Sequence, residues 1–181
     1  MSRVLLVIDI QNDYFPGGAH PLVDSETAVR AAAAVLGSFR SAGEPVVHVR
    51  HVWDEPAATF MRPGTRGVEI HPAVRPIEGE AVVTKDSPNA FVGTDLAELL
   101  KGLNASEVVV AGMMTSMCVD SSVRAAAEQG FDVSLVHDAC AAPDLEFGGA
   151  KVPGKMVHAA FVAALGDGFA KVISARDLID A

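Results

Sequence analysis

Asp9, Lys85 and Cys118 are residue types that could share one reaction. A thiol attacks an electrophilic carbonyl, a carboxylate takes its proton and returns it to a leaving amine, and an ammonium steadies both anions. Each of the three follows a short apolar run. Val4–Ile8 leads into Asp9, Ala81-Val82-Val83-Thr84 into Lys85, and Glu107–Ala111 into Gly112–Met117 and then Cys118. If those runs are parallel strands, the three groups stand at the carboxyl edge of one sheet, where open α/β sheets bind ligands.

Cys118 lies between an apolar strand and an Ala-rich stretch, which places it in the first turn of an expected helix. Unpaired N–H groups and the helix dipole there favour a thiolate, and the same N–H groups can receive an oxyanion. A small buried core residue is the other reading of a free cysteine, and position alone leaves both open. Cys140 opens no helix and has Pro143 close behind, so it reads as structural. Taken singly, Asp9 could be a loop carboxylate bonded to backbone N–H groups, and Lys85 an ordinary solvated lysine. Their common placement at strand ends is what raises them above that.

The elements that must position these groups alternate along the chain. Strands are expected at Arg3–Asp9, Pro45–His51, Ala81–Lys85, Glu107–Ala111, Asp132–His137 and Ala170–Ile173, short and rich in Val, Leu and Ile. Helices are expected at Ser25–Ala42, capped by Asp24 and stopped at Gly43, at Asp95–Lys101, capped by Thr94, and at Met117–Gln129 and Gly154–Leu165, with a short one after Ser174. The pattern predicts an α/β fold: one domain over residues 1–181, a mostly parallel six-stranded sheet with helices on both faces, three layers in all. Trp53–Gly79, with four prolines and three glycines, and Ala139–Pro153 read as irregular loops that could wall or cover a pocket.

Composition narrows the class. Half of the 181 residues are hydrophobic, and 14 basic against 23 acidic side chains leave a net charge of −9. That sign opposes nucleic-acid backbones and anionic lipid, and no apolar run approaches a membrane span or a secretory leader. Two cysteines make no disulfide framework, so the expectation is a reduced, cytoplasmic protein.

Asp9-Ile10-Gln11-Asn12-Asp13, then Lys85 before Asn89-Ala90-Phe91, then Gly112-Met113-Met114-Thr115-Ser116-Met117-Cys118-Val119 resemble the isochorismatase-like cysteine hydrolases. These include nicotinamidases, N-carbamoylsarcosine amidase, ureide-cleaving amidases and streptothricin hydrolase. The resemblance extends from Arg3 to about Ile173. It implies that Cys118 attacks a carbonyl, Asp9 is the general acid and base, and Lys85 orients Asp9 and stabilises the thiolate. A thioester acyl-enzyme is then hydrolysed. It further implies a cis peptide at Met113–Met114, an oxyanion hole from the Met114 and Cys118 N–H groups, and a homo-oligomer. Tyr14 matches an aromatic that flanks substrate in the family, Phe91 follows the lysine motif, and Met117 adjoins the cysteine. Trp53 and Phe60 could close over a small ring or pack in the core.

The departures from the family pattern also inform. Isochorismatases proper lack the cysteine. Nicotinamidases carry a metal site with Asp-x-His on the second strand, where this chain reads His51-Val52-Trp53. His48 and His51, three apart in a strand, point to opposite faces, and His71 reads as a polar loop residue. No metal and no cofactor are expected. Gly149–Met156 nearly spells a phosphate-binding loop, but Met156 stands where Ser or Thr is required and no clear strand precedes it. The expected activity is hydrolysis of a C–N bond in a small amide, lactam or ureide. A nicotinamidase proper and a silent ligand-binding domain of the same fold are the alternatives.

Overall fold

The structure, a computed structural model, describes residues 2–181. In chain order its elements are β1 (Ser2–Ile8), α1 (Ser25–Ala42), β2 (Val46–His51), β3 (Ala81–Lys85), α2 (Leu96–Gly102), β4 (Ala105–Met113), α3 (Asp120–Glu128), β5 (Asp132–Ala141), β6 (Leu145–Phe147), β7 (Ala150–Val152), α4 (Gly154–Gly166), β8 (Lys171–Ile173) and α5 (Ala175–Ile179). Six strands form one sheet in the order β3-β2-β1-β4-β5-β8, every neighbouring pair parallel. The direction of strand addition reverses between β1 and β4, and ligand sites in open α/β sheets lie at such a switch point. The residues after these two strands lead to Asp9 and Cys118.

Side-chain alternation sends Leu5 and Val7 of β1 into one core and Val4, Leu6 and Ile8 into the other. The first core is closed by α1 and α5, through Ala28, Val29, Ala32, Leu36, Phe39 and Leu178. The second is closed by α2, α3 and α4, through Leu96, Leu100, Val123, Ala126 and Leu165. The three expected layers are present. α1 ends where expected, at Gly43, whose φ of 68° gives the left-handed turn that glycine enters without strain.

Several local expectations need correction. The Asp24 side chain does not cap α1; it lies 3.0 Å from the Lys155 ammonium instead. Residues 139–153 are not all irregular. β5 continues to Ala141, because a register shift between Val110 and Gly112 absorbs extra residues and lets Cys140 pair opposite Gly112. Polar His137-Asp138 in mid-strand hid that continuation. β6 and β7 then form an antiparallel hairpin turned by Gly148 and Gly149 at positive φ. The run that resembles a phosphate loop is this turn, β7 and the first residues of α4, and the Gly154 N–H is already donated to Asp144 Oδ1 at 2.6 Å. Residues 53–79 are irregular as expected, apart from a 3-10 turn at Pro72–Val74 and one bridge between Gln11 and Ile70.

Candidate active site

β1 ends at Ile8, and Asp9 leaves it at a φ of +49°, a left-handed conformation that Asp tolerates better than most residues. Its N–H still bonds the Val49 carbonyl at 3.0 Å, so the turn is anchored to β2. Lys85 is the last residue of β3 and pairs in register with His51, the last of β2. From there its side chain reaches across the strand ends until Nζ lies 2.7 Å from Asp9 Oδ2. Nζ is also 3.3 Å from Cys118 Sγ, 2.9 Å from His51 Nδ1 and 2.9 Å from the Ser87 carbonyl. The three side chains expected to converge do so, and all three residues are buried.

Cys118 is not in a regular α-helical turn. Met113–Met114 is a cis peptide, and Thr115–Val119 is one turn of π-helix that passes into α3 at Asp120. The Met114 carbonyl accepts the N–H groups of both Met117 and Val119 at 3.1 Å, which closes this wide turn. Thr115 Oγ1 bonds His158 Nδ1 on α4.

The electrostatics correct a second expectation. Burial pushes the Cys118 thiol far up, the adjacent Asp9 carboxylate pushes it further, and Lys85 offsets only part of this. With 3% of the residue exposed, loss of water outweighs the helix terminus, so the resting group is a thiol and not a thiolate. Asp9 and Lys85 then balance each other as a buried ion pair beside a neutral nucleophile. Burial, with Lys85 next, pushes His51 down from its usual value, which leaves a neutral ring. Burial, before any neighbouring charge, raises Tyr14 well above its usual value and keeps it a phenol.

Donor atoms of Asp9, His51 and Cys118 lie within 4.8 Å of one another, the kind of group that can grip a metal. The centre of that group is taken by the Lys85 ammonium, which contacts all three. A metal would have to displace an ion-paired lysine whose side chain is fully buried, so these residues do not fit a resident ion. The other histidines stand apart. His48 Nε2 binds Glu80 Oε2 at 2.8 Å, while His71 packs at a tilt on Phe15, with ring centroids 4.1 Å apart, and accepts the Ala73 N–H.

The aromatic residues separate into two groups. Tyr14 and Trp53 both pack on Phe60, with ring centroids 6.0 and 5.5 Å apart, and His20 stacks on Phe60 at 4.7 Å. Phe91 instead packs against the core that contains Cys118, and Met117 is about half exposed. Two buried residues that hold the surrounding loops escaped the sequence reading. Gln11 bonds both backbone groups of His51 at 2.8 Å and the Val68 carbonyl at 2.7 Å. Asp13 accepts the N–H groups of Ala19 at 3.0 Å and Met61 at 2.6 Å, and a Cβ on Gly67 would collide with its carboxylate. Their signal was a polar residue on each side of Asn12, directly after the central strand. His51 was weighed only as a metal ligand, although its register with Lys85 puts it in the site.

With that geometry in hand, comparison with known proteins gives a consistent picture. The family profile described as Isochorismatase domain matches residues 3–177. An uncharacterized isochorismatase family protein of Bacillus subtilis, YddQ, is 48% identical over 172 residues, which is 95% of this chain and 96% of that protein. Maleamate amidohydrolase of Pseudomonas putida is 34% identical over 149 residues, covering 74% of this chain and 70% of that one. A solved isochorismatase-type hydrolase from Oleispira antarctica superposes with a TM-score of 0.96 at 46% identity, covering 99% of this chain and 97% of that one.

Proposed function

The chain belongs to the isochorismatase family, and we propose that within it the protein is a cysteine-dependent amidohydrolase that cleaves a small-molecule C–N bond through a thioester. The observation that carries this reading is the contact of the Lys85 ammonium with both Asp9, at 2.7 Å, and Cys118, at 3.3 Å, in a buried site at the carboxyl edge of the sheet. A silent binding domain has no use for a nucleophile, a base and a counter-ion so placed. A relative over most of the chain carries the name of an amidohydrolase.

In the proposed reaction, substrate displaces water and brings its carbonyl carbon to Cys118 Sγ. Asp9 takes the thiol proton as the S–C bond forms, so no free thiolate has to persist in a buried site. The negative charge then rests on the carbonyl oxygen, for which the Met114 and Cys118 N–H groups are the proposed donors. Collapse of this intermediate breaks the C–N bond as Asp9 returns the proton to the leaving nitrogen. A water molecule, deprotonated by Asp9, next attacks the thioester and releases the acid, and the proton goes back to sulfur. Lys85 stays charged throughout and holds Asp9 in place.

The proposed acyl group is small and partly apolar, bounded by Tyr14, Trp53 and Phe60 on one side and by Phe91 and Met117 near the nucleophile. A panel of nicotinamide, carbamoylated amino acids, biuret-like ureides and cyclic lactams, read as ammonia or amine release, tests the reading. Turnover that disappears in Cys118→Ala, with the fold intact, is the expected result. If no member is turned over while Cys118 still reacts with an alkylating agent, the chain is a ligand-binding member of the fold.

A further inference from the structure

We propose that His51 is a positioning residue of this site: its Nδ1 takes one of the Lys85 hydrogens and thereby leaves Asp9 Oδ1 free to receive the Cys118 proton. The inference rests on the reading of Asp9 as base and adds a residue to it.

An ammonium has three hydrogens, and Lys85 Nζ has four acceptors within 3.3 Å. Three of them, His51 Nδ1, the Ser87 carbonyl and Cys118 Sγ, are approached in hydrogen-bonding geometry. Asp9 Oδ2 is the nearest of the four at 2.7 Å, as an ion pair, and no hydrogen bond from Lys85 reaches Asp9 Oδ1. Lys85 therefore compensates Asp9 at Oδ2, while His51 and the Ser87 carbonyl take its other hydrogens and Asp9 Oδ1 stays open. That distinction matters for a base. A charge-assisted hydrogen bond aimed at a carboxylate stabilises its ionised form and weakens it as a proton acceptor. A pair confined to Oδ2 leaves the lone pairs of Oδ1 open to the thiol.

His51 is built to hold this division. It closes β2 directly opposite Lys85, and the Gln11 side chain clamps both its N–H and its carbonyl at 2.8 Å. The groups that act on its ring are Lys85 on β3, Asp9 after β1, Asp86 and the backbone at Ser87, with Cys118 on the nucleophile turn close by. Burial and Lys85 keep the ring neutral, so Nδ1 accepts and the remaining proton sits on Nε2. An acid at this position would add a second anion beside Lys85 and a new ligand for a cation. A histidine adds an acceptor without charge.

The test compares His51→Leu, which removes the acceptor, with His51→Asn, whose Oδ1 stands where Nδ1 was and cannot ionise. Two readouts are needed: the pH profile of kcat/KM on the best substrate of the panel, and the pH-dependent rate of Cys118 alkylation by iodoacetamide, which requires no substrate. In His51→Leu the freed Lys85 hydrogen turns onto Asp9. Both rates fall about tenfold at neutral pH, KM changes little, and the acid limb of each profile moves to lower pH. His51→Asn recovers the rates and the limb. The proposal is overturned if Leu behaves as wild type, or if Leu and Asn are equally impaired with no movement of the limb. Should no amide be turned over while alkylation follows the expected pattern, the hydrolase reading fails and the role of His51 stands.

Discussion

Thr115 Oγ1 lies 2.9 Å from His158 Nδ1, a hydrogen bond that ties the turn carrying Cys118 to helix α4. Thr115 is fully buried, and burial, with His137 next, lowers His158 from its usual value, so a neutral ring meets the hydroxyl. Thr115→Val keeps the volume and leaves Nδ1 without its partner. Stability should fall by about 1–2 kcal/mol in urea denaturation. Activity should fall roughly tenfold, because small displacements of a nucleophile are costly. An unchanged kcat would show that α4 does not position the turn.

The two cysteines should differ in reactivity for reasons of neighbourhood and not of resting ionisation. Burial raises both thiols, Cys140 to about 12, and Cys118 is pushed up as well. Cys140 points its sulfur at the Val136 carbonyl at 3.4 Å, whereas Cys118 has both Asp9 and the Lys85 ammonium beside it. With limiting iodoacetamide at pH 7, labelling should be slow and confined to Cys118, with Cys140 reacting only once urea unfolds the chain. Mass spectrometry that finds Cys140 labelled first in the folded protein would reverse the assignment.

Glu80 links acid stability to the edge of the sheet. Burial pushes its carboxyl up, but hydrogen bonds from Arg40, the Ile77 N–H and His48 outweigh this and bring it from 4.5 to about 2. A carboxylate lowered on folding stabilises the fold above its unfolded value, and that contribution is lost as pH falls from about 4.5 to 2. Glu80→Gln should cost about 1–2 kcal/mol at pH 7 after allowance for solvent near the Arg40 pair. The difference between variant and wild type should shrink as pH falls through that window. Urea midpoints at pH 7 and pH 3.5 compare the full contribution with a reduced one, and a constant gap would contradict this account.

Chelation should leave activity unchanged. Lys85 already supplies the cation that Asp9, His51 and Cys118 surround. Activity of enzyme dialysed against a strong chelator, compared with enzyme given stoichiometric zinc, decides the point. Loss on chelation and recovery with zinc would require Lys85 to leave its present position.

Much of the fold was legible because it depends on neighbours in the chain. Apolar runs of strand length at Val4–Ile8 and Glu107–Ala111, the left-handed glycine at Gly43, and the helices between strands follow from local pattern, and they place Asp9, Lys85 and Cys118 after strands. The extension of β5 was not legible, because His137-Asp138 interrupts the apolar run and only pairing with β4 carries the strand past them.

The residues alone determined which groups could react and that three strand ends would carry them. The tertiary structure decided how close they come, because the order β3-β2-β1-β4 sets which ends are neighbours and how far Lys85 must reach. It also brought His51 beside Lys85 and tied the nucleophile turn to His158, contacts that join residues 34 and 43 positions apart. Above all it reversed the expected state of Cys118. A helix terminus argues for a thiolate, but ionisation depends on how much water the whole fold removes, and here burial beside a carboxylate retains the proton on the sulfur.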